Sequence, residues 1–317
     1  MKKFLFLALF ISSTASAQEE YKGIFTPIQN PPGLSSLKPI EQVRVALGKK
    51  LYNDSSLSIS KKISCNSCHS LSAFGVDNEP TSLGHEGKRG DRNSPTVYNA
   101  ALHFKQFWDG RAEDVEAQAL GPVLNPGEMG MPSEEIVLGR LKESPEYADL
   151  FKKAYPDDAL PITFKNMGRA IGAFERRLLT PSRFDKFLEG DASALTDVEK
   201  TGLKTFVSSG CIACHAGVAV GGMMFQKLGL AKPYETKDLG LFKVTKKESD
   251  KYFFKVPSLR NVSETHPYFH DGSIKTLNEA ITLMGRHQLG KELTAGEVES
   301  ISAFLHSLKG EIPAEAL

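Results

Sequence analysis

All four cysteines of this chain fall in two five-residue runs, Cys65-Asn66-Ser67-Cys68-His69 and Cys211-Ile212-Ala213-Cys214-His215. Each run sets two thiols one helical turn apart with an imidazole directly after them. That spacing suits one reaction: each thiol adds across a vinyl group of a porphyrin, and the imidazole then lies under the iron. The runs therefore read as two covalent c-type haem sites, with His69 and His215 as proximal ligands. Disulfides or redox dithiols would also use paired cysteines, but neither needs a histidine after each pair.

The sixth position of each iron decides whether that haem carries electrons or does chemistry. His85 stands 16 residues after His69, where Gly84, Gly87 and Gly90 are interleaved with charges. Ser82 to Asn93 is therefore expected to be a loosely packed loop from which a ligand can both bind and leave. Met284 lies 69 residues beyond His215, near the end of a helical segment. A thioether that distant can reach the far face of the second haem. Met223 and Met224 follow His215 too closely to wrap around the ring and read as core or lining residues. Thioether ligation favours ferrous iron and raises the potential, so electrons should enter at the second haem and pass to the first.

The elements that must hold these residues are mostly helical. The two motifs stand 146 residues apart, preceded by amphipathic segments at Ile40 to Tyr52 and Val198 to Phe206, as duplication of one module would give. Thr196 with Glu199, Thr276 with Glu279 and Thr294 with Glu297 have capping-box spacing and mark three helix starts; Gly310 and Pro313 end the last helix. Ser133 should cap a helix through Leu141, Pro145 should open another through Tyr155, and Phe164 to Leu179 reads as one long helix stopped by Pro181. Only Lys251 to Val256 reads as extended, and Pro181 to Leu195 reads as a linker. The expected fold is mainly α, with cores completed by the haems themselves.

Residues Met1 to Ala17 carry Lys2 and Lys3, the apolar stretch Phe4 to Ile11 and the small-residue site Ala15-Ser16-Ala17, the pattern of a secretory signal peptide cleaved before Gln18. The apolar run is too short to span a bilayer, so the mature product is expected to be soluble, in a Gram-negative periplasm. The formal net charge of +1 falls to about −1 without the two leader lysines. Neither nucleic acid nor an anionic membrane is an expected partner. The mature length suits two domains.

These motifs extend into a longer pattern. Over nearly its whole mature length the chain resembles the bacterial di-haem cytochrome c peroxidases. The resemblance runs through both CxxCH sites, Gly84-His85, Asn93-Ser94-Pro95-Thr96, Gln106-Phe107-Trp108-Asp109-Gly110-Arg111, Gln118, Gly121-Pro122 and Asn125-Pro126-Gly127-Glu128-Met129. It continues in Lys255-Val256-Pro257-Ser258-Leu259-Arg260-Asn261-Val262 and Pro267-Tyr268-Phe269-His270-Asp271-Gly272, and ends at Met284. The resemblance implies a signal peptide at 1–17 and two cytochrome c-like helical domains, 18–180 with the peroxidatic haem and 181–317 with the electron-transferring haem.

By the same resemblance His85 is the displaceable distal ligand of the first haem and Met284 the axial ligand of the second. Trp108, the only tryptophan, is an electron relay between them, Glu128 the distal acid/base and Gln118 a distal amide that hydrogen-bonds peroxide. A calcium ion is implied between the domains, held by the Asn93 side chain and the Thr265 and Pro267 carbonyls. Lys255 and Arg260 are candidates for haem propionates, with surface solvation as the alternative; His270 has no derivable role. The implied reaction is reduction of hydrogen peroxide to water by a small periplasmic donor, a cytochrome c or a cupredoxin, in an enzyme that is commonly a homodimer. Two rivals share the pattern: a di-haem electron carrier, which has no use for Glu128, and the methylamine-utilisation type of di-haem oxidase, which carries Tyr where this chain has Met284.

Overall fold

The structure, a computed structural model, describes residues 19–317, so the segment read as a signal peptide lies outside the described residues. Twelve α-helices are present among them: α1 Pro39–Tyr52, α2 Cys65–Cys68, α3 Val115–Gln118, α4 Gly121–Leu124, α5 Glu134–Lys142, α6 Pro145–Ala154, α7 Phe164–Glu175, α8 Arg183–Leu188, α9 Asp197–Ser209, α10 Phe242–Thr245, α11 Leu277–Gln288 and α12 Ala295–His306. Two three-residue strands, β1 Phe225–Lys227 and β2 Phe253–Lys255, pair antiparallel with Phe225 opposite Lys255. Among the described residues no helix is long and apolar enough to cross a membrane.

The caps behave as their chemistry requires, with one exception. At α9 and α12 the Thr196 and Thr294 hydroxyls accept the Glu199 and Glu297 amides, and each carboxylate returns to the threonine. At α11 only the forward half forms, Thr276 Oγ1 accepting the Glu279 amide at 3.2 Å. Glu279 is exposed, and its carboxylate makes no return bond to Thr276.

Two expectations are corrected. Helix α7 ends at Glu175 rather than Leu179, because the Leu178 carbonyl accepts the Asn99 amide at 2.8 Å and Asn99 Oδ1 accepts the Thr180 amide. Thr180 also precedes Pro181, which disfavours helical backbone there. The stretch expected as a linker contains α8, whose Phe184, Phe187 and Leu188 are buried at helical spacing in a hydrophobic cluster with α9 and α12. Asp185 of α8 is the deepest anchor. Its carboxylate accepts both Arg260 guanidinium nitrogens at 2.8 Å, together with the Ile28 and Ser182 amides. A buried ion pair is tolerated only when its remaining valences are filled, as they are here. Arg260 is therefore a structural cation, neither solvated nor free for a propionate.

The duplication is visible in how each CxxCH turn is supported. In the first module α1 crosses α7 at Gly48, where an added Cβ would lie 1.9 Å from the Ala170 carbonyl oxygen and 2.9 Å from Phe174 Cβ. In the second, α9 crosses α12 at Gly202, with 1.8 Å to the Ser300 oxygen and 2.9 Å to Phe304 Cβ. Each time the helix that leads into the haem motif meets the module's later helix at a glycine, and a phenylalanine four residues beyond the contacted carbonyl fills the adjoining core. The two cores also exchange chain ends. Tyr21 and Phe25 pack in the second cluster, while Ile312 and Ala316 pack against the first.

Gly202→Val should lower unfolding free energy by about 3 kcal/mol or more, because backbone rather than a yielding side chain blocks the new atoms. Gly139→Ala is the control: it lies within α5 with nothing within 4 Å of the added Cβ, and should gain about 0.5–1 kcal/mol. Denaturant titration of both variants measures the difference.

Candidate functional site

Each CxxCH run is a single turn closed the same way, the histidine amide donating to the first cysteine's carbonyl at 2.9 Å in His69 and 3.0 Å in His215. Ser64 begins the first turn, its amide bonded to Ser67 Oγ; Gly210, in a left-handed conformation, ends α9 and begins the second. No disulfide joins either pair. Burial pushes the Cys65 thiol up to about 12 and the Cys211 thiol up to about 11. A redox dithiol works through a lowered thiol pKa, so this environment argues against that chemistry. Among the described residues no three His, Cys, Asp or Glu side chains converge on a metal position, so the pairs lack the further donors a zinc site needs.

The histidines fit the haem reading. His69 Nδ1 lies 2.9 Å from the Pro95 carbonyl. A carbonyl cannot donate, so Nδ1 carries the proton and Nε2 keeps its lone pair for a metal. His215 has Nδ1 buried without a hydrogen-bond partner, facing the Val220 and Pro257 backbone. Beside it opens a deep cavity lined by Cys211, Cys214, His215, Met284 and Trp108. Its walls are otherwise largely apolar and include no Asp or Glu. Cys211, Cys214 and His215 could hold a haem there, with Met284 of α11 on the same cavity wall. Met223, expected as core or lining, is instead 54% exposed.

Around the first motif the structure joins two loops. The segment after Ser82 is less loose than its glycines imply: it is a hairpin in which Gly84 bonds to Lys88, Gly90 bonds to Ser82, and Leu83 bridges Arg89. It packs on the turn after α4. The His85 amide donates to the Glu128 carbonyl at 2.8 Å, His85 Nε2 lies 3.1 Å from the Pro126 carbonyl, and the ring covers Gly130. The Glu128 carboxylate accepts from Asn125 Nδ2 at 2.7 Å. Burial raises the Glu128 carboxyl above its ordinary value, while Arg111 and the Asn125 bond restrain the shift. A carboxyl raised in this way holds its proton more readily than a solvated one, as an acid/base group needs. Gln118 ends α3, half-buried, and no hydrogen bond joins it to Glu128 or His85.

Trp108 stands at the joint between the modules. Its indole N–H donates to the Asn93 carbonyl at 2.9 Å, and its carbonyl accepts the Lys255 amide of β2 at 2.8 Å. The Asn93 amide donates to the His270 carbonyl, and the His270 ring meets Trp108 edge-on at 6.5 Å and lies 4.4 Å from Phe254, centroid to centroid. The neighbouring Asp109 shares Arg92 with Asp238, at 2.7 and 2.6 Å. His270 thus gains the structural role the sequence withheld. Asn93, Thr265 and Pro267 line the same cavity as Trp108, and neither the Thr265 nor the Pro267 carbonyl accepts a backbone bond among the described residues. Asn93 spends Nδ2 on the Glu79 and Pro80 carbonyls, which leaves Oδ1 as its free donor oxygen. Free oxygens on one wall are the donor type calcium prefers.

Three functional neighbours escape the sequence reading: Asn125, His103 and Glu175. Only Glu175 has a local signal, a lone carboxylate four residues after Ile171 on the buried face of α7.

The make-up is that of a di-haem oxidoreductase: a mainly helical chain with two matched CxxCH turns, and a half-buried carboxyl, Glu128, in the module of the first. A family model described as di-haem cytochrome c peroxidase matches residues 42–193. The cytochrome c551 peroxidase of Pseudomonas aeruginosa is 45% identical over 96% of this chain and 89% of its own. The methylamine utilization protein MauG of Methylorubrum extorquens is 34% identical over 86% of this chain and 80% of its own. A solved MauG-like protein associated with microbial copper homeostasis has a TM-score of 0.78 and 28% identity, covering 92% of this chain and 95% of that one. The chain belongs to the di-haem cytochrome c peroxidase family. It is accordingly an oxidoreductase, and the family implies two haems c.

Burial, with the Glu116 carboxylate behind it, pushes Glu175 up to about 8 from an ordinary 4.5. Below 4.5 it is protonated whether folded or not; above that, the unfolded chain releases a proton that the folded chain keeps. Stability is therefore lost as pH rises, levelling off above about 8. Glu175→Gln should remove that slope and gain a few kcal/mol at pH 8 relative to pH 5, at about 1.36 kcal/mol per unit. Unfolding curves across that range measure it.

Proposed function

We propose that this chain is a periplasmic peroxidase that reduces hydrogen peroxide to water, taking its two electrons singly from a small cytochrome c or cupredoxin. The observation that carries the reading is the half-buried Glu128, its carboxylate held by Asn125 and its backbone carbonyl accepting the His85 amide. A pure electron carrier has no use for such a group. We place one haem in each of two domains, 18–180 and 181–317, each lending its terminal segment to the other's core.

In this reading Cys65, Cys68 and His69 would hold the first haem, with His85 as a further ligand, and Cys211, Cys214, His215 and Met284 would hold the second. When bound, the haems supply the irons that bind peroxide and store and pass electrons. The residues do the rest. His85 has a ready alternative to iron, because its Nε2 already engages the Pro126 carbonyl; release of the ligand exchanges one partner for another rather than exposing a bare imidazole. Glu128 takes the proton from the near peroxide oxygen and returns it to the far oxygen as the bond breaks, and the donor's two electrons with two further protons from solvent complete two waters. Asn125 orients the carboxylate, and Gln118 offers an amide to peroxide. Trp108, held from both sides, relays electrons between the modules. Asn93, Thr265 and Pro267 would hold calcium at the joint, with water completing the shell. Met284 favours this reading over the methylamine-utilisation type, which has Tyr there.

Glu128→Gln keeps the shape and the Asn125 contact but cannot cycle a proton. It should lose about 10²–10⁴-fold in peroxide turnover while both haem spectra remain native. Absence of peroxide turnover in the native protein with a competent donor would leave the carrier reading in place of the peroxidase, and unchanged turnover in Glu128→Gln would remove Glu128 from the chemistry.

A further inference from the structure

We propose that Lys255 and His103 form a buried clamp for a propionate of the haem carried by Cys211 and Cys214, and that this clamp fixes the Trp108 backbone against that haem. The inference rests on the second-haem assignment above and goes beyond it. Lys255 was open between propionate binding and surface solvation on sequence grounds, and its burial decides against the surface: it is 5% exposed. Lysine is almost never buried without a counter-charge. None of the ion pairs among the described residues includes it, and its ammonium has a single contact, His103 Nδ1 at 3.4 Å. It lines the cavity beside Cys211, Cys214 and His215, whose walls hold no Asp or Glu. The missing anion must therefore arrive with the occupant, and a haem brings two carboxylates.

His103 supplies the second, independent observation. Its Nε2 is buried with no hydrogen-bond partner, and the residue lines the same cavity. An ammonium can only donate, so Nδ1 accepts from Lys255 and the ring proton sits on Nε2, a donor without an acceptor. One carboxylate placed between these groups would satisfy the cation and the orphaned N–H together. The position is fixed from three directions. The Lys255 amide donates to the Trp108 carbonyl at 2.8 Å, Lys255 pairs across the strands with Phe225, and the Gly222 backbone packs against the His103 ring. The propionate would therefore be tied, through one residue, to the backbone of the residue proposed to relay electrons.

The test is a spectroelectrochemical titration of the holoprotein and of Lys255→Met, Lys255→Arg and His103→Leu, each first weighed intact to show two haems. A chain without haem mass would refute the second-haem assignment itself, separately from the clamp. Removal of a cation beside the haem favours the ferric state. Lys255→Met should shift the second haem's ferric-to-ferrous ratio about tenfold at fixed ambient potential, 59 mV for one electron. Lys255→Arg should restore most of it, and the first haem should not move. His103→Leu should shift the same ratio in the same direction by about threefold, and it decides the matter alone if Lys255→Met does not accumulate. A ratio within about twofold of native in both Lys255→Met and His103→Leu, or a shift confined to the first haem, overturns the proposal.

Discussion

Two helix crossings bring backbone against backbone, and the placement of both CxxCH turns follows from them. A haem motif is only four or five residues long and cannot position itself; it takes its orientation from the helix that leads into it. At Gly48 and again at Gly202 that helix lies so close to a partner that no side chain fits between. Close packing of this kind tolerates little sliding, because any shift drives backbone atoms into one another. In the second module the crossed helix α9 runs to Ser209, directly before the motif; in the first, residues 53–64 lie between the end of α1 and Cys65. The exchange of chain ends adds a second restraint: Phe25 and Ala316 anchor each module through the other's core.

The joint between the modules is built from polar groups that are nearly all satisfied. Lys255, Trp108, Asn93 and His270 are joined in series by two main-chain bonds and the indole N–H, flanked by the Asp109–Arg92–Asp238 chain. Buried networks of this kind specify one arrangement, because any alternative strands a donor or acceptor. A relay needs that rigidity more than it needs affinity. The exceptions, Lys255 and His103, face the cavity rather than the network, where an occupant rather than the protein completes them.

Much of this was legible because it is local. The CxxCH turns, the boxes at Thr196 and Thr294 and the helix opened by Pro145 are each decided within a few residues, and the structure reproduces them. What stayed hidden depends on partners far along the chain. Arg260 stayed open between a haem propionate and surface solvation because its partner, Asp185, lies 75 positions away in a stretch that read as a linker. Helix α8 itself is six residues long, too short for periodicity to separate from turn signals. His103 and Lys255 meet across 152 positions, and nothing beside either announces the other. The hairpin after Ser82 looked loose because glycine count measures backbone freedom, whereas order there comes from contacts with the Asn125–Gly130 turn.

That hairpin carries the last step of the argument. The His85 amide is bonded to the carbonyl of Glu128 itself, and Gly84 lies so close to Gly127 that a Cβ on it would come within 2.0 Å of the Gly127 oxygen. In the proposed mechanism the ligand that leaves and the carboxyl that acts are consequently two ends of one packed unit. A displacement of His85 that preserves these contacts carries the Glu128 backbone with it, and one that breaks them leaves a buried carbonyl without its donor. In that mechanism, release of His85 and placement of Glu128 are coupled by packing. Met284 has no comparable freedom. It sits one turn from the end of a twelve-residue helix whose Ala280, Ile281 and Gly285 are buried, so its departure would disturb a core. The asymmetry between the two sites thus lies in what holds each ligand's backbone, a hairpin in one and a helix in the other, as much as in the ligand atoms themselves.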